Sequence, residues 1–344
     1  MRSKSARLEP TEVAGCLDDR AGSGNRGERL WLRLGSGTGS IARRGNDRAQ
    51  AMPIFYPDIL EQKSEPRAFS YGDKDVVLYA LGIGLGADPM NEKELAFVYE
   101  KGLRVVPTAA TVLAAGARNR GAPAAEPMAG HRQSQLNYLM VVHGEQKVEL
   151  HRPLPASGEF TTQSRTTGAF DKGKDKGAVV VNETVWIDER GEKIATLTGS
   201  TFARGDGGFG GPSEGAPIPH ETPTRTPDQS VTFSTRPDQA LLYRLNGDRN
   251  PLHSDPESAR RSGFPRPILH GLCTYGITCR AILEVITDFD PEPILSHQAR
   301  FSAPVFPGDD ITVDLWRDGK AISFQARVEA RSATVIRNGL TLLR

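Results

Sequence analysis

Two side chains able to exchange protons stand five residues apart in LLYRLNGDRNPLHSDPESARRSGFPRPILHGLCTYG, residues 241–276: Asp248 and His253. A carboxylate and an imidazole around one small volume can hold a water molecule and act on it as acid and base. On a continuous helix, positions i and i+5 point roughly 140° apart, so the pair cannot cooperate from a helix interior. Pro251 offers a way round, because proline fits a first helical position and Asn250 before it suits an N-cap. Asp248 then falls in the preceding turn, held by Gly247, and can curl back toward His253. Further on, His270-Gly271 opens a second helix. Glycine there lets a substrate oxygen reach a backbone N–H that the helix dipole makes a good oxyanion donor. Each feature also has a plainer use: Asp248 as a turn residue, His253 as a satisfied surface histidine, Gly271 as a close-packing site. Together they describe chemistry beside a thioester carbonyl.

The elements that must position these groups come in two copies. FSYGDKDVVLYAL (69–81) aligns with FSTRPDQALLYRL (233–245) at an offset of 164 residues. An Asp-Pro follows each, at Asp88-Pro89 and Asp255-Pro256, where Asp or a neighbour can cap a short helix with Pro in its first turn. VVPTAATVLAAGA (105–117) and PRPILHGLCTYGITCRAILEVI (265–286) both read as a proline leading into a helix rich in small residues. Strand patterns close each copy: GAVVVNETVWID and KIATLTGSTFAR in the first, ITVDLWRD and AISFQARVEAR in the second. The copies differ where chemistry would occur. Tyr79 to Asp88 spans nine residues and Tyr243 to Asp255 spans twelve, and the longer segment holds GDRNPLH where the first copy has GIGLGA. The expected organisation is a disordered tail at 1–51, an N-terminal module at 52–203 without catalytic residues, a Gly/Pro-rich linker at 204–228, and a catalytic module at 229–344.

Composition narrows the function classes. The 344 residues carry a formal net charge of +1, without the basic excess typical of a nucleic-acid binder. Cys16, Cys273 and Cys279 are odd in number and form no C-x-x-C pair, which fits a reducing, cytoplasmic setting better than a disulfide framework. No apolar run approaches the ~20 residues of a membrane span. Residues 1–51 carry nine arginines and six acids without apolar periodicity, so they match neither a transit peptide nor a secretory signal. They read as a dispensable tail, or an over-extended reading frame ahead of Met52. GIGLG (82–86) lacks the spacing of a dinucleotide loop, and His253-x-Asp255 finds no third metal ligand in sequence. Cys273 and Cys279 read as core residues.

The stretch YRLNGDRNPLHSDP…PILHGLCTYG resembles the signature of the R-specific 2-enoyl-CoA hydratases, the MaoC-like or hydratase 2 family. It is close to the hydratase part of the peroxisomal multifunctional enzyme. The likeness extends through YALGIG, LAFVYEKG, VHGEQKVELHRPLP, GGFGG and ARFSAPVFPGD, covering roughly 53–344. The resemblance implies an α+β double hot-dog fold, in which each half wraps a long helix in a curved antiparallel sheet. It implies Asp248 and His253 as the catalytic pair and Gly271 N–H as the oxyanion donor. Substrate contacts would come from Arg249, Asn250, Pro251, Leu252 and Phe301, and from His143, Gly144 and Lys172 in the first half. Glu100 falls at an acid position of the family, but its distance to the next helix is short and it stays outside the catalytic set.

The activity so implied is reversible syn hydration of a trans-2-enoyl-CoA to a (3R)-3-hydroxyacyl-CoA, with no resident cofactor or metal, by a homodimer. Losing its acids would let the first half serve as a tunnel for long or bulky acyl chains, with VVLYALGIG and LAFVYE as part of the lining. Two rivals remain: an acyl-CoA thioesterase, which would use the same polarised carbonyl, and a non-catalytic acyl-CoA-binding subunit.

Overall fold

In a computed structural model, which describes residues 54–119 and 141–344, the apolar runs of both copies become antiparallel strands. The expected tail at 1–51 lies outside the described residues. The first copy supplies β1 (Arg67–Tyr71), β2 (Val141–Leu150), β3 (Gly158–Asp171), β4 (Ala178–Ile187) and β5 (Lys193–Ala203). The second supplies β6 (Gln229–Ser234), β7 (Ile294–Phe301), β8 (Asp310–Asp318), β9 (Ala321–Val328) and β10 (Ala333–Leu343). They form one ten-stranded sheet in the order β1-β3-β4-β5-β2-β7-β10-β9-β8-β6. From either edge inwards, each copy contributes its first, third, fourth, fifth and second strands. The two copies are therefore related by an approximate two-fold axis between β2 and β7, whose register pairs Glu145 with Arg300 and Glu149 with Ser296.

The helices repeat as well. The first copy has α1 (Asp73–Gly82), α2 (Glu92–Leu95) and α3 (Ala110–Asn119); the second has α4 (Gln239–Tyr243), α5 (Pro256–Arg261) and α6 (Gly271–Val285). Phe69 and Phe233 lie on β1 and β6, and Tyr79 and Tyr243 on α1 and α4 with rings 6.1 Å apart. From Cys273 to Leu283 every α6 residue except Arg280 is buried, as expected of a helix that is apolar nearly all round. It packs on strands β6, β7, β9 and β10. This is the double hot-dog architecture. One core cluster runs through both halves, and in the first half Trp186 meets Phe69 edge-on at 4.7 Å. Each fully buried large apolar side chain of this kind contributes about 1.5–3 kcal/mol.

Three local features differ from the sequence reading. Asp255 caps α5 with Pro256 in its first turn, but Asp88-Pro89 forms only a turn, and Asn91 caps α2 instead by accepting from Lys93 and Glu94 N–H. The sequence reading marks no strand over β1, β2, β6, β7 or β10; in β10, Asn338, in the left-handed region at φ 55°, and Gly339 interrupt the alternation at a register shift. The Gly/Pro-rich segment 204–228 contains no helix or strand, yet it is anchored. Asp171 accepts from the N–H groups of Gly208 and Gly210, and His220 Nε2 pairs with Ser323 Oγ at 2.8 Å.

The segments expected to line a tunnel contribute Tyr79, Ile83, Leu85 and Phe97 to the shared core. The Gly82 carbonyl accepts from Gln239 Nε2 at 2.6 Å and from Cys273 Sγ at 3.3 Å, so this segment is pressed against the second half. Among the described residues, no helix is long and apolar enough to cross a membrane.

Candidate active site

The GDRNPLH insertion stops a helix and builds a turn. Helix α4 ends at Tyr243, a single 3-10 turn covers Arg244–Asn246, and Gly247 adopts φ 115°, a conformation that glycine alone enters without strain. Asp248 follows, with Oδ1 accepting from Asn250 N–H at 3.1 Å. Asn250 then caps the 3-10 turn Pro251–His253 by accepting from Leu252 N–H at 3.0 Å, as its place before proline predicts. His253 closes that turn and is buried. Its Nδ1 lies 2.8 Å from the Ile268 carbonyl, which can only accept. Nδ1 therefore carries the hydrogen and Nε2 keeps its lone pair. Burial pushes the His253 pKa below its ordinary value against the opposing pull of the Asp248 charge, so the ring is neutral near pH 7.

His270 joins this pair from the N-cap of α6. Its Nε2 donates to the Asp248 carbonyl at 3.1 Å, and its ring stacks on His253 with centroids 3.7 Å apart and planes at 25°. Burial first, and the neighbouring His253 next, push its pKa down to about 3. Asp248, His253 and His270 each bring a ligand-type atom within 4.8 Å of the others. Two rings stacked nearly face to face keep their in-plane lone pairs in nearly parallel planes. That suits a shared water or substrate better than convergence on one ion, which needs ligand nitrogens aimed at a common point.

Gly271 begins α6, is exposed, and has no acceptor for its N–H among the described residues. A Cβ at this position would lie 3.3 Å from the Phe301 ring, so Phe301, the last residue of β7, rests directly against it. The His143 ring of β2 follows at 4.8 Å from Phe301, and Asp248 is near enough to influence its titration, although burial dominates and lowers the pKa. Gly144 sits at a register shift between β2 and β5, where a Cβ would come within 2.8 Å of Ser200 Oγ.

Contacts thus link Asp248, Asn250, Pro251, Leu252, His253, Gly271, Phe301 and His143 into one locality at the seam between the halves. Arg249 is exposed on the same turn. Lys172 is not joined to them by any contact: its ammonium meets the Ser213 carbonyl at 2.5 Å and the Phe170 ring at 5.8 Å. Cys273 and Cys279 are buried, and burial raises both thiols, Cys279 to about 12, so neither is a thiolate nucleophile. Sequence reasoning used His270 only to mark a helix start. The only signal in the sequence was its place directly before Gly271.

Known proteins resemble this chain in sequence and fold. Residues 69–205 match the MFE-2 hydratase 2 N-terminal domain, and residues 219–338 match the MaoC like domain. The chain is 40% identical to the enoyl-CoA hydratase ChsH3 of Mycobacterium tuberculosis, over 85% of this chain and 99% of that one. It is 36% identical to the peroxisomal enoyl-CoA hydratase 2 of Arabidopsis thaliana, over 81% of this chain and 92% of that one. A crystal structure of a MaoC-like dehydratase from Phytophthora capsici superposes with a TM-score of 0.72 at 33% identity, covering 83% of this chain and 97% of that one. A carboxylate–imidazole pair beside an open helix N-terminus, on a duplicated fold that both family patterns match, makes this chain a member of the MaoC-like hydratase 2 family.

Proposed function

We propose that this protein is a hydro-lyase that adds water reversibly to a trans-2-enoyl-CoA and forms a (3R)-3-hydroxyacyl-CoA. The observation that carries the reading is the Asp248–His253 pair, with His253 held as a neutral Nδ1–H tautomer beside the unpaired Gly271 N–H.

In this reading the thioester oxygen accepts from Gly271 N–H, and the positive end of α6 favours negative charge there. Polarisation makes C3 of the enoyl group electrophilic. Water lies between the Asp248 carboxylate, which accepts one of its hydrogens, and His253 Nε2, which takes the other as oxygen bonds to C3. The resulting enolate is held at Gly271, and the imidazolium returns the proton to C2 on the same face. One C–O and one C–H bond form, one water O–H bond breaks, and His253 ends neutral. Phe301 and His143 sit where they can flank the acyl thioester, while Arg249 and Lys172 offer positive charge to the CoA phosphates. The residue types of the turn supply this chemistry without a resident metal or cofactor.

The reading also takes the first half as shelter for the acyl chain, so KM should fall as the chain lengthens, by about 0.8 kcal/mol per sheltered methylene. It includes a homodimer, which exposed Leu81, Leu241 and Leu245 on the adjoining α1–α4 region would suit. The deciding assay follows the enoyl-thioester absorbance of crotonyl-CoA and of decenoyl-CoA together with free thiol. Loss of the band without thiol is expected. Loss with thiol would mean a thioesterase, and no loss on either substrate would mean a binding protein.

A further inference from the structure

We infer that the half without catalytic residues holds the catalytic turn in place, and that Gly116 is a positioning residue for Asp248. The inference rests on the hydratase reading of Asp248 and goes beyond it, since the turn before Asp248 packs backbone to backbone against the other half.

The geometry is a backbone-to-backbone contact made through glycines. Gly247, directly before Asp248, has φ 115°, and a Cβ on it would lie 2.8 Å from both N and Cα of Gly116 in α3. Reciprocally, a Cβ on Gly116 would lie 2.8 Å from the carbonyl oxygen of Asn246. Helix α1 closes on the same turn from another side, where a Cβ on Gly82 would come within 3.0 Å of Asn246 Nδ2 and 3.2 Å of the Tyr243 ring. Asn246 is buried, and its Nδ2 donates to the Tyr243 carbonyl at 3.0 Å, so the turn has little freedom to retreat. From the second half, His270 Nε2 donates to the Asp248 carbonyl and Gly247 N–H donates to the Arg244 carbonyl, both at 3.1 Å.

The contact has a mechanical consequence. Asp248 is exposed and follows a left-handed glycine, in a stretch that could pivot about Gly247. Backbone packed against backbone removes that pivot without adding a side chain to the space that water and substrate occupy. Acid–base catalysis is steep in position, and a misplacement of about 1 Å can cost ~10²-fold. A methyl group at 116 has to displace the Asn246 carbonyl, and Asp248 lies two residues further along.

The test is steady-state hydration of crotonyl-CoA by the full chain. Gly116→Ala is expected to lower kcat ~10-fold or more, with KM changed less than ~2-fold. In an Asp248→Asn background, the same substitution should cost under ~2-fold, because the group it misplaces is already disabled. A general packing lesion would instead lower both backgrounds equally, and that result would overturn the inference. Unchanged kcat in Gly116→Ala would overturn it too. Gly72→Ala, where a Cβ meets nothing within 4 Å, is the control and should keep wild-type kinetics. If Gly116→Ala does not fold, the milder Gly82→Ala decides: a kcat loss of ~3-fold at constant KM supports the inference, and full kcat sinks it. A wild type without hydratase activity on either ester would defeat the hydratase reading, whereas an active wild type indifferent to both glycines would defeat only this proposal.

Discussion

The two halves treat the same segment in opposite ways. In the first, α1 runs unbroken from Asp73 to Gly82 and passes into Ile83 and Leu85, both buried. In the second, the matching helix stops at Tyr243, and the chain turns through Gly247 to present Asp248 and His253. The starts of the long helices differ likewise. Helix α3 follows Pro107, Thr108 and Ala109, all buried, and Thr108 Oγ1 accepts from Tyr79 O–H at 2.9 Å. Helix α6 starts at an exposed Gly271 whose N–H meets no acceptor among the described residues. One copy is sealed and the other left open, on the same arrangement of strands. At the corresponding places the copies differ by a three-residue insertion and by a glycine at a helix start.

The strongest way to break this comparison is to remove the acid–base pair. Asp248→Asn or His253→Gln should lower hydration at least ~10²-fold with the fold intact by circular dichroism. A single variant keeping most of its activity would end the pairing. The mirrored change in the sealed half, Thr108→Val, should leave kcat within about 2-fold while costing about 1–3 kcal/mol in urea unfolding, because the buried Tyr79 hydroxyl loses its acceptor.

Gly271→Ala should rank next, at ~10-fold or more in kcat, because the added Cβ would keep the thioester oxygen from the retained N–H, and weakened oxyanion stabilisation costs about that much. The added Cβ meets the Phe301 ring at 3.3 Å, so Phe301→Leu in the same chain should recover part of the loss. No recovery would show that Phe301 does not set the approach to α6.

A smaller effect concerns pH. His253, His270 and His297 are all pushed below their ordinary pKa, chiefly by burial, His297 from 6.5 to about 3. The unfolded chain therefore binds these protons first as pH falls. Stability should be complete above about pH 6.5 and decline toward pH 3, with a slope of about 1.4 kcal/mol per pH unit for each such histidine. Replacing His297 with Gln should remove one histidine's share of that slope, and an unchanged slope would mean that its ring is protonated in the fold. Activity, by contrast, should persist below pH 6.5 in initial-rate measurements, because burial keeps the base His253 neutral there. The smallest expected effect is none: a chain starting at Met52 should keep its kcat and melting temperature, and a large loss of either would show that the preceding residues pack.

Much of this was legible in the sequence because it is local. Pro251 fixes a φ, Asn250 satisfies an orphan N–H, Gly247 permits a left-handed turn, and the 164-residue offset exposes the duplication; none of these needs a distant contact. The runs of β3, β4, β5, β8 and β9 were readable for the same reason, whereas β10 was not, because Asn338-Gly339 breaks its period. Only the tertiary structure decided that β2 and β7 pair across the two-fold and carry His143 to Phe301. It also stacked His270 on His253, and set Gly116 of one half against Gly247 of the other. The physical reason is that propensities and caps act within a few residues, whereas which backbones touch depends on the packing of the whole core. A glycine's lack of a side chain leaves no trace in the sequence of what comes to lie against it.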